Sequence, residues 1–338
     1  MMKKVLAGLA IAAGLFASTG VASAQTTLRV ANWLPPSHPL VSDIIKPWIE
    51  DVNKATEGRV VLELLTSPLG PPPAHFDFAV NGVADVTYGV HNYTPGRFVA
   101  TSIAELPFLS NTSEALSVAY WKVHEKYLAG ANEHKGTHVL SVFTHGPGQL
   151  WTKGRDLTSM DGIAGSKIRI GGGIAQDVAT ALDLVPVQAP VTKAYELLSG
   201  GVADGIQFPA ESVAFFNIQN VVDSGLVVDG GLYNVSFFVV MNGAKWDGLS
   251  DADKEAIMSV SGASLALRAG KAWDAADQRG YDAMKEKGIT LVRPEGAAAE
   301  AIKAKLAGVE ADAVKRISEK GVDAAAALKA LKAGVAGE

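Results

Sequence analysis

Gly165-Ser166-Lys167-Ile168-Arg169-Ile170 is the stretch whose residue types point most directly to chemistry. It reads as a short, half-apolar strand leaving a turn, with an arginine near its exit. Glycines at 171 to 173 follow, and a helical run starts at Ile174. A guanidinium presents a planar fork of N–H donors that grips a carboxylate or phosphate in a bidentate way, which an ammonium does not. The hexapeptide alone leaves open an arginine that pairs with a structural acid or faces water.

Other chemistry has little support. A dinucleotide loop of the form G-x-G-x-x-G would need glycine at 176, where Gln176 stands. Glycine backbone before a helix can still hold an anion through its N–H groups. His134 and His138 flank Gly136 with no carboxylate suitably placed, and His124-Glu125 lacks the second histidine of a zinc-protease motif. No G-x-S-x-G elbow is present. No catalytic residue, metal or cofactor is therefore expected, and a binder is favoured over an enzyme.

The bulk properties narrow the setting. Lys3 and Lys4, the apolar run Val5 to Ala17, and Ala22-Ser23-Ala24 read as an export signal over 1–24, with the mature chain starting at Gln25. No later run reaches the roughly twenty apolar residues that a membrane span needs, so no direct membrane insertion is expected. The chain has 0 Cys, which excludes disulfides, thiolate metal sites and a cysteine lipid anchor. A net charge of −5 without a basic run argues against nucleic acid as a partner. The expected location is the periplasm.

Several elements must position Arg169. Strands are expected at 28–32, 60–65 and 85–90, alternating with helices at 40–54 and 74–81, which implies a largely parallel sheet with helices on its faces. A helix at 112–126 and a strand at 138–143 follow, stopped by His145-Gly-Pro-Gly148. A second α/β unit holds strands at 167–170, 185–188 and 205–208 with helices between them. Residues 235–241 form another apolar strand. One long helix is expected over 251–287, capped by Ser250, on the order of 50 Å long and able to bend at Gly262, Gly270 and Gly280. The tail from Gly296 reads as surface helix on the second lobe.

Six segments in order then resemble the extracytoplasmic solute receptors of TRAP (tripartite ATP-independent periplasmic) transporters, the DctP family. They are 58–70, Asn81 to Val86, Glu105 to Leu109, Gly165 to Arg169, Tyr195 to Pro209, and Met241-Asn242 with Trp246 and Leu249-Ser250. The resemblance implies an α/β two-lobe periplasmic-binding-protein (Venus-flytrap) fold, with mixed sheets flanked by helices and a long lobe-spanning helix. It places 25–146 and 234–273 in lobe I, and 147–233 and 274–338 in lobe II. It further implies a small organic anion in the interlobe cleft, delivered to small and large integral membrane subunits.

In that family the strand arginine clamps the ligand carboxylate, and by position this is Arg169. Departures from the sialic-acid-type pattern are informative. Gln149 replaces a second arginine, while Gly172 and Phe208 replace asparagines. Val90 stands at a polar position, with Tyr93 as the next contact, and Trp33 follows the first strand. Each change trades polarity for apolar or aromatic surface, so the expected ligand is a monocarboxylate with an apolar or aromatic body, or a 2-oxo acid. Candidate ligand contacts are Arg169, Phe208, Tyr93, Gln149, Trp33 and Tyr233, joined by Gln207, Gly172, Val191 and His91. A C4-dicarboxylate or sugar-acid receptor, or a periplasmic enzyme on the same architecture, is the alternative reading.

Overall fold

The computed structural model describes residues 25–337, so the expected leader and its cleavage site lie outside the described residues. The first sheet is built by β1 (Thr26–Val30), α1 (Lys46–Ala55), β2 (Val60–Leu64), α2 (His75–Val80), β3 (Val86–Val90), α3 (Ser113–Val123) and β4 (Thr137–Thr144). β1 pairs in parallel with β2 and with β3. The helix expected over 40–54 has a wide π-type first part, Leu40–Ile45, before α1 begins. Pro47 has no N–H with which to continue regular helical bonding through this point.

The chain then crosses to a second sheet through β5 (Gln149–Thr152), α4 (Met160–Ile163), β6 (Lys167–Ile170), α5 (Ile174–Ala181), β7 (Val185–Gln188), α6 (Ala194–Ser199), β8 (Gly205–Phe208), α7 (Ala210–Phe215) and β9 (Ser224–Leu226). It returns with β10 (Ser236–Asn242), α8 (Gly243–Asp247), α9 (Asp251–Ser259), α10 (Gly262–Glu286), β11 (Thr290–Val292), α11 (Gly296–Ser318) and α12 (Ala324–Ala336). The sheet orders are β2-β1-β3-β10-β4 and β11-β9-β5-β8-β6-β7. Both sheets are mixed. β10 runs antiparallel between β3 and β4, and β5 runs antiparallel to β8 and β9. The expected parallel arrangement holds for β1, β2 and β3, but β10 returns from the second lobe and inserts antiparallel between β3 and β4, which makes the sheet mixed. There it is buried on both faces, which explains its unbroken apolar run.

The two strand crossings lie side by side. Gly148 N–H donates to Tyr233 O at 2.9 Å, and Leu232 N–H donates to Gly148 O at 2.9 Å. A short ladder thus joins the crossings where the lobes meet.

The long helix differs from expectation. Ser250 caps α9 through its side chain, as its spacing predicts, but the helix stops at Ser259 and α10 starts anew at Gly262. Gly262 has φ +51, and a Cβ there would lie 2.9 Å from the Trp121 ring. Its carbonyl accepts from Ser141 Oγ at 2.9 Å. Gly270 and Gly280, by contrast, lie within unbroken α10 and permit close crossings. A Cβ at Gly270 would sit 2.4 Å from Glu114 Cα, and one at Gly280 would sit 2.4 Å from Ala210 O. α10 therefore presses on α3 of the first lobe with one segment and on α7 of the second with the next.

Two carboxylates on α10 reinforce this. Asp274 accepts from Ser113 N (2.6 Å) and Glu114 N (3.0 Å) at the start of α3. Asp277 accepts from Glu211 N (2.7 Å) in α7. The tail departs from the expectation that it packs wholly on the second lobe. α11 lies against α5, but α12 lies along α3.

Replacing Gly270 with valine should destabilise the fold by about 1–3 kcal/mol through overpacking against α3. Gly308→Ala, where nothing lies within 4 Å of the added Cβ, serves as the neutral or stabilising control. Denaturant unfolding of the two variants checks this, and equal midpoints would contradict the close-crossing role.

Candidate ligand-binding cleft

Strand alternation sets the face that Arg169 uses. Ile168 and Ile170 point one way and Arg169 the other. Arg169 pairs with Ile206 in β8, which puts Phe208, two residues on, on the same face. The guanidinium carbon lies 4.8 Å from the Phe208 ring centroid, a cation–π distance. Arg169 is only 2 % exposed. Its Nε and Nη2 donate to Ala189 O at 3.0 and 2.5 Å. Among the described residues no Asp or Glu forms an ion pair with it. Burial draws its pKa down, while the phenols of Tyr93 and Tyr233 act in the opposite sense. Tyr93 Oη accepts from Val191 N–H at 3.1 Å and so ties the first lobe to the second beside the cation.

Arg169 opens on a cavity with about 510 Å³ of space not filled by protein atoms, its mouth included. Aromatic groups surround it. Phe208 is 6.1 Å from Phe216, and Phe216 is 5.5 Å from His38. Trp273 stands 6.0 Å from His38 and 6.2 Å from His145. His145 is 5.9 Å from Tyr233, whose phenol feels the Arg169 charge and closes the loop. Trp33, Val90, Phe237 and Val191 complete apolar walls.

The loop after β6 makes the lobes fit. Gly172 (φ +122) and Gly173 (φ +62) pack against Asn92 of the first lobe. A Cβ at Gly172 would lie 2.9 Å from Asn92 O. Buried Glu105 accepts from Ser236 N (3.1 Å) and Ser236 Oγ (2.7 Å). Its Oε2 lies at the entry to α5, 2.8 Å from where a Cβ at Gly173 would sit, and burial pushes its pKa up to about 7.

The structure brings six of the expected contacts to the cavity: Arg169, Phe208, Tyr93, Trp33, Tyr233 and Val191. The other four do not line it. The Gln149 amide is held by the Val228 backbone, donating to its O at 3.0 Å and accepting from its N at 2.8 Å. Gln207 precedes Phe208 in β8 and so points to the opposite sheet face, where its amide has no protein partner among the described residues. Gly172 serves lobe contact instead of touching the cavity. His91 faces away, with Nδ1 3.0 Å from Ser236 Oγ and Nε2 2.8 Å from His134 Nε2. The cavity also takes residues that the motif reading missed, chiefly His38, Asn92, His145, Phe216 and Trp273.

Beside the cavity, His38 Nε2 lies 3.4 Å from Glu211 Oε1. Burial pushes His38 down to about 3 and Glu211 up to about 8, so both are neutral near pH 7 and this is no ion pair. An unfolded glutamate ionises near pH 4.3, whereas folded Glu211 keeps its proton until about 8. Its contribution to stability is complete below the unfolded pKa and is lost as pH rises through that interval. Glu211→Gln, which stays neutral, should gain stability relative to wild type as pH is raised from about 5 to about 8. Thermal unfolding of both proteins at matched pH reads this, and a pH-independent difference would contradict it.

Comparison with known proteins places this geometry. A chain 30% identical over 257 residues, covering 75% of this chain and 76% of its own length, is the "outer membrane transporter protein TsaT" of Comamonas testosteroni. Among solved structures, a TRAP periplasmic solute-binding protein of Bordetella bronchiseptica, with bound (R)- and (S)-mandelate, superposes with TM-score 0.89 at 39% identity, covering 92% of this chain and 99% of that one. A TRAP solute-binding protein of Rhodoferax ferrireducens, with copurified benzoate, gives TM-score 0.86 at 28% identity, covering 93% and 98%. The family model "bacterial extracellular solute-binding protein, family 7" (DctP) matches residues 30–316. With two lobes, a strapping helix and a buried arginine in the cleft, the chain belongs to the family 7 extracellular solute-binding proteins, the solute receptors of TRAP transporters.

Proposed function

We propose that this receptor captures a monocarboxylate with an aromatic body between its lobes and presents it, without chemical change, to the small and large membrane subunits of a TRAP transporter. The observation that carries this is Arg169, a buried cation with no acidic partner among the described residues, set in an aromatic-walled cavity. A ligand carboxylate supplies the missing charge, and a ring fills the space between Phe208, Trp33 and Phe216. The relatives crystallised with mandelate and with benzoate support the same ligand class.

A C4-dicarboxylate fits less well. Among the described residues lining the cavity, Arg169 is the single Lys or Arg, so a second carboxylate would be buried unpaired. The enzyme reading lacks an arranged nucleophile, because Ser212 Oγ donates to Glu211 Oε2 at 2.7 Å and not to a base such as His38. The ligand contacts are Arg169, Phe208, Tyr93, Tyr233, Trp33 and Val191. The working location is the periplasm, reached through the leader over 1–24. Among the described residues no helix is long and apolar enough to cross a membrane.

Arg169→Ala should weaken benzoate or mandelate binding by at least about tenfold, the loss of one charge-assisted hydrogen-bonding partner, while the thermal midpoint of the unliganded protein does not fall. Near-normal affinity in calorimetry would reject the clamp. Phe208→Asn should weaken the same acids, and unchanged or tighter binding would reject the aromatic wall.

A further inference from the structure

We infer that Asn92 is a second grip on the ligand carboxylate, so that the anion is held from both lobes, by Arg169 of the second and by the Asn92 side-chain amide of the first. The inference rests on the carboxylate reading of Arg169 and adds a donor that meets the same group from across the cleft.

Strand register brings the two side chains to one level of the cavity. The last ladder pair of β6 and β7 is Ile170 with Gln188, and Ala189 N–H donates to Ile170 O at 3.1 Å, so Ala189 stands beside Gly171. Arg169 donates to Ala189 O through Nε and Nη2. Its head therefore leans along the strand toward the level of Gly171. Asn92 reaches that level from the first lobe. A Cβ at Gly171 would lie 3.4 Å from Asn92 Oδ1, 3.9 Å from Asn92 Nδ2 and 3.6 Å from Tyr93 Cε1. The tyrosine beside the amide is the one whose phenol acts on the Arg169 charge. Asn92, Gly171 and Arg169 all line the one cavity.

The amide is buried and unspent. Asn92 is 7 % exposed, and neither Oδ1 nor Nδ2 has a hydrogen-bond partner among the described residues. A buried amide left without partners is costly. Packing does not account for it. Asn92 fits against the second lobe through its backbone O, 2.9 Å from a Cβ at Gly172, and through its own Cβ, 2.9 Å from a Cβ at Gly173. Alanine would keep both contacts, so the amide beyond them adds polarity to the cavity. Glu105 Oε2 and Asn92 Nδ2 both flank Gly173, at 2.8 and 3.6 Å from its Cβ position. A primary amide carries two N–H donors, so attraction of one toward Glu105 leaves the other for the ligand.

An ionised carboxylate suits this arrangement. It only accepts, and its two oxygens have room for more hydrogen bonds than one guanidinium fork makes. Arg169 has committed Nε and part of Nη2 to Ala189 and offers the donors that remain. Asn92 supplies the next donor from the opposite wall. With one donor on each lobe, the anion binds the enclosed form better than an open one, in which only one lobe would reach it.

The test is calorimetry of benzoate, phenylacetate and mandelate against wild type, Asn92→Ala and Asn92→Asp at neutral pH, with thermal unfolding to show that each variant is folded. In Asn92→Ala all three acids should weaken by a similar factor, about tenfold, because each loses the same bond to its carboxylate. Asn92→Asp keeps the size and shape of the side chain but sets a second negative charge beside the ligand, so it should bind more weakly still. A space-filling role predicts the reverse order, since aspartate fills the space and alanine does not. The aspartate variant also covers the case where the alanine variant does not fold. Wild-type affinity in either variant overturns this inference alone, as does tighter binding by aspartate than by alanine, or a loss confined to one acid. Failure of every acid to bind wild type overturns the carboxylate reading and this inference with it.

Discussion

A positive charge held out of water without a negative partner among the described residues is the constraint around which this molecule is arranged. Removing a guanidinium from water costs several kcal/mol unless polar groups replace the lost hydration. Here the replacement is partial. Ala189 O takes two N–H bonds, Phe208 offers the face of its ring, and two phenols add weaker attraction. The fork is positioned and incompletely satisfied, so a carboxylate entering the cleft supplies what the protein withholds.

That logic depends on two lobes meeting around the ligand. Arg169 and Phe208 come from the second sheet, while Trp33, Asn92 and Tyr93 come from the first. Tyr93 bonds the Val191 backbone across the gap, and Glu105 reaches the start of α5. α10 holds both halves through Asp274 and Asp277, which satisfy backbone donors at the first turns of α3 and α7. Two paired crossings run beside it. A carboxylate favours the enclosed arrangement to the extent that it binds that arrangement better than an open one, and the unpaired cation is the source of that difference.

The sequence carries part of this plainly. The turn before β6, the strand and its glycine exit place Arg169, and an aromatic residue before Pro209 announces an apolar wall. Alternation then decides which neighbours share the site. Phe208 faces the cavity, so Gln207 beside it cannot, and only the pairing of β6 with β8 shows which of the two is favoured. Gln149 occupies a position suited to ligand contact, but its amide is spent on Val228, a partner 79 residues away. His38, His145 and Trp273 were not legible as a cluster, because three chain segments meet only through the hinge and α10. The break before Gly262 and the insertion of β10 between β3 and β4 are likewise tertiary outcomes. Helical periodicity continues through the first, and no local pattern reports the insertion of a returning strand.

The most direct measurement compares an aromatic acid with its uncharged isostere. Calorimetry of benzoate and benzamide against the same protein isolates the charge while holding the ring and size nearly constant. The account predicts that the acid binds and the amide does not at concentrations saturating for the acid. Equal affinity for the two would show that the cleft selects the ring without the anion, and would contradict the role given to Arg169.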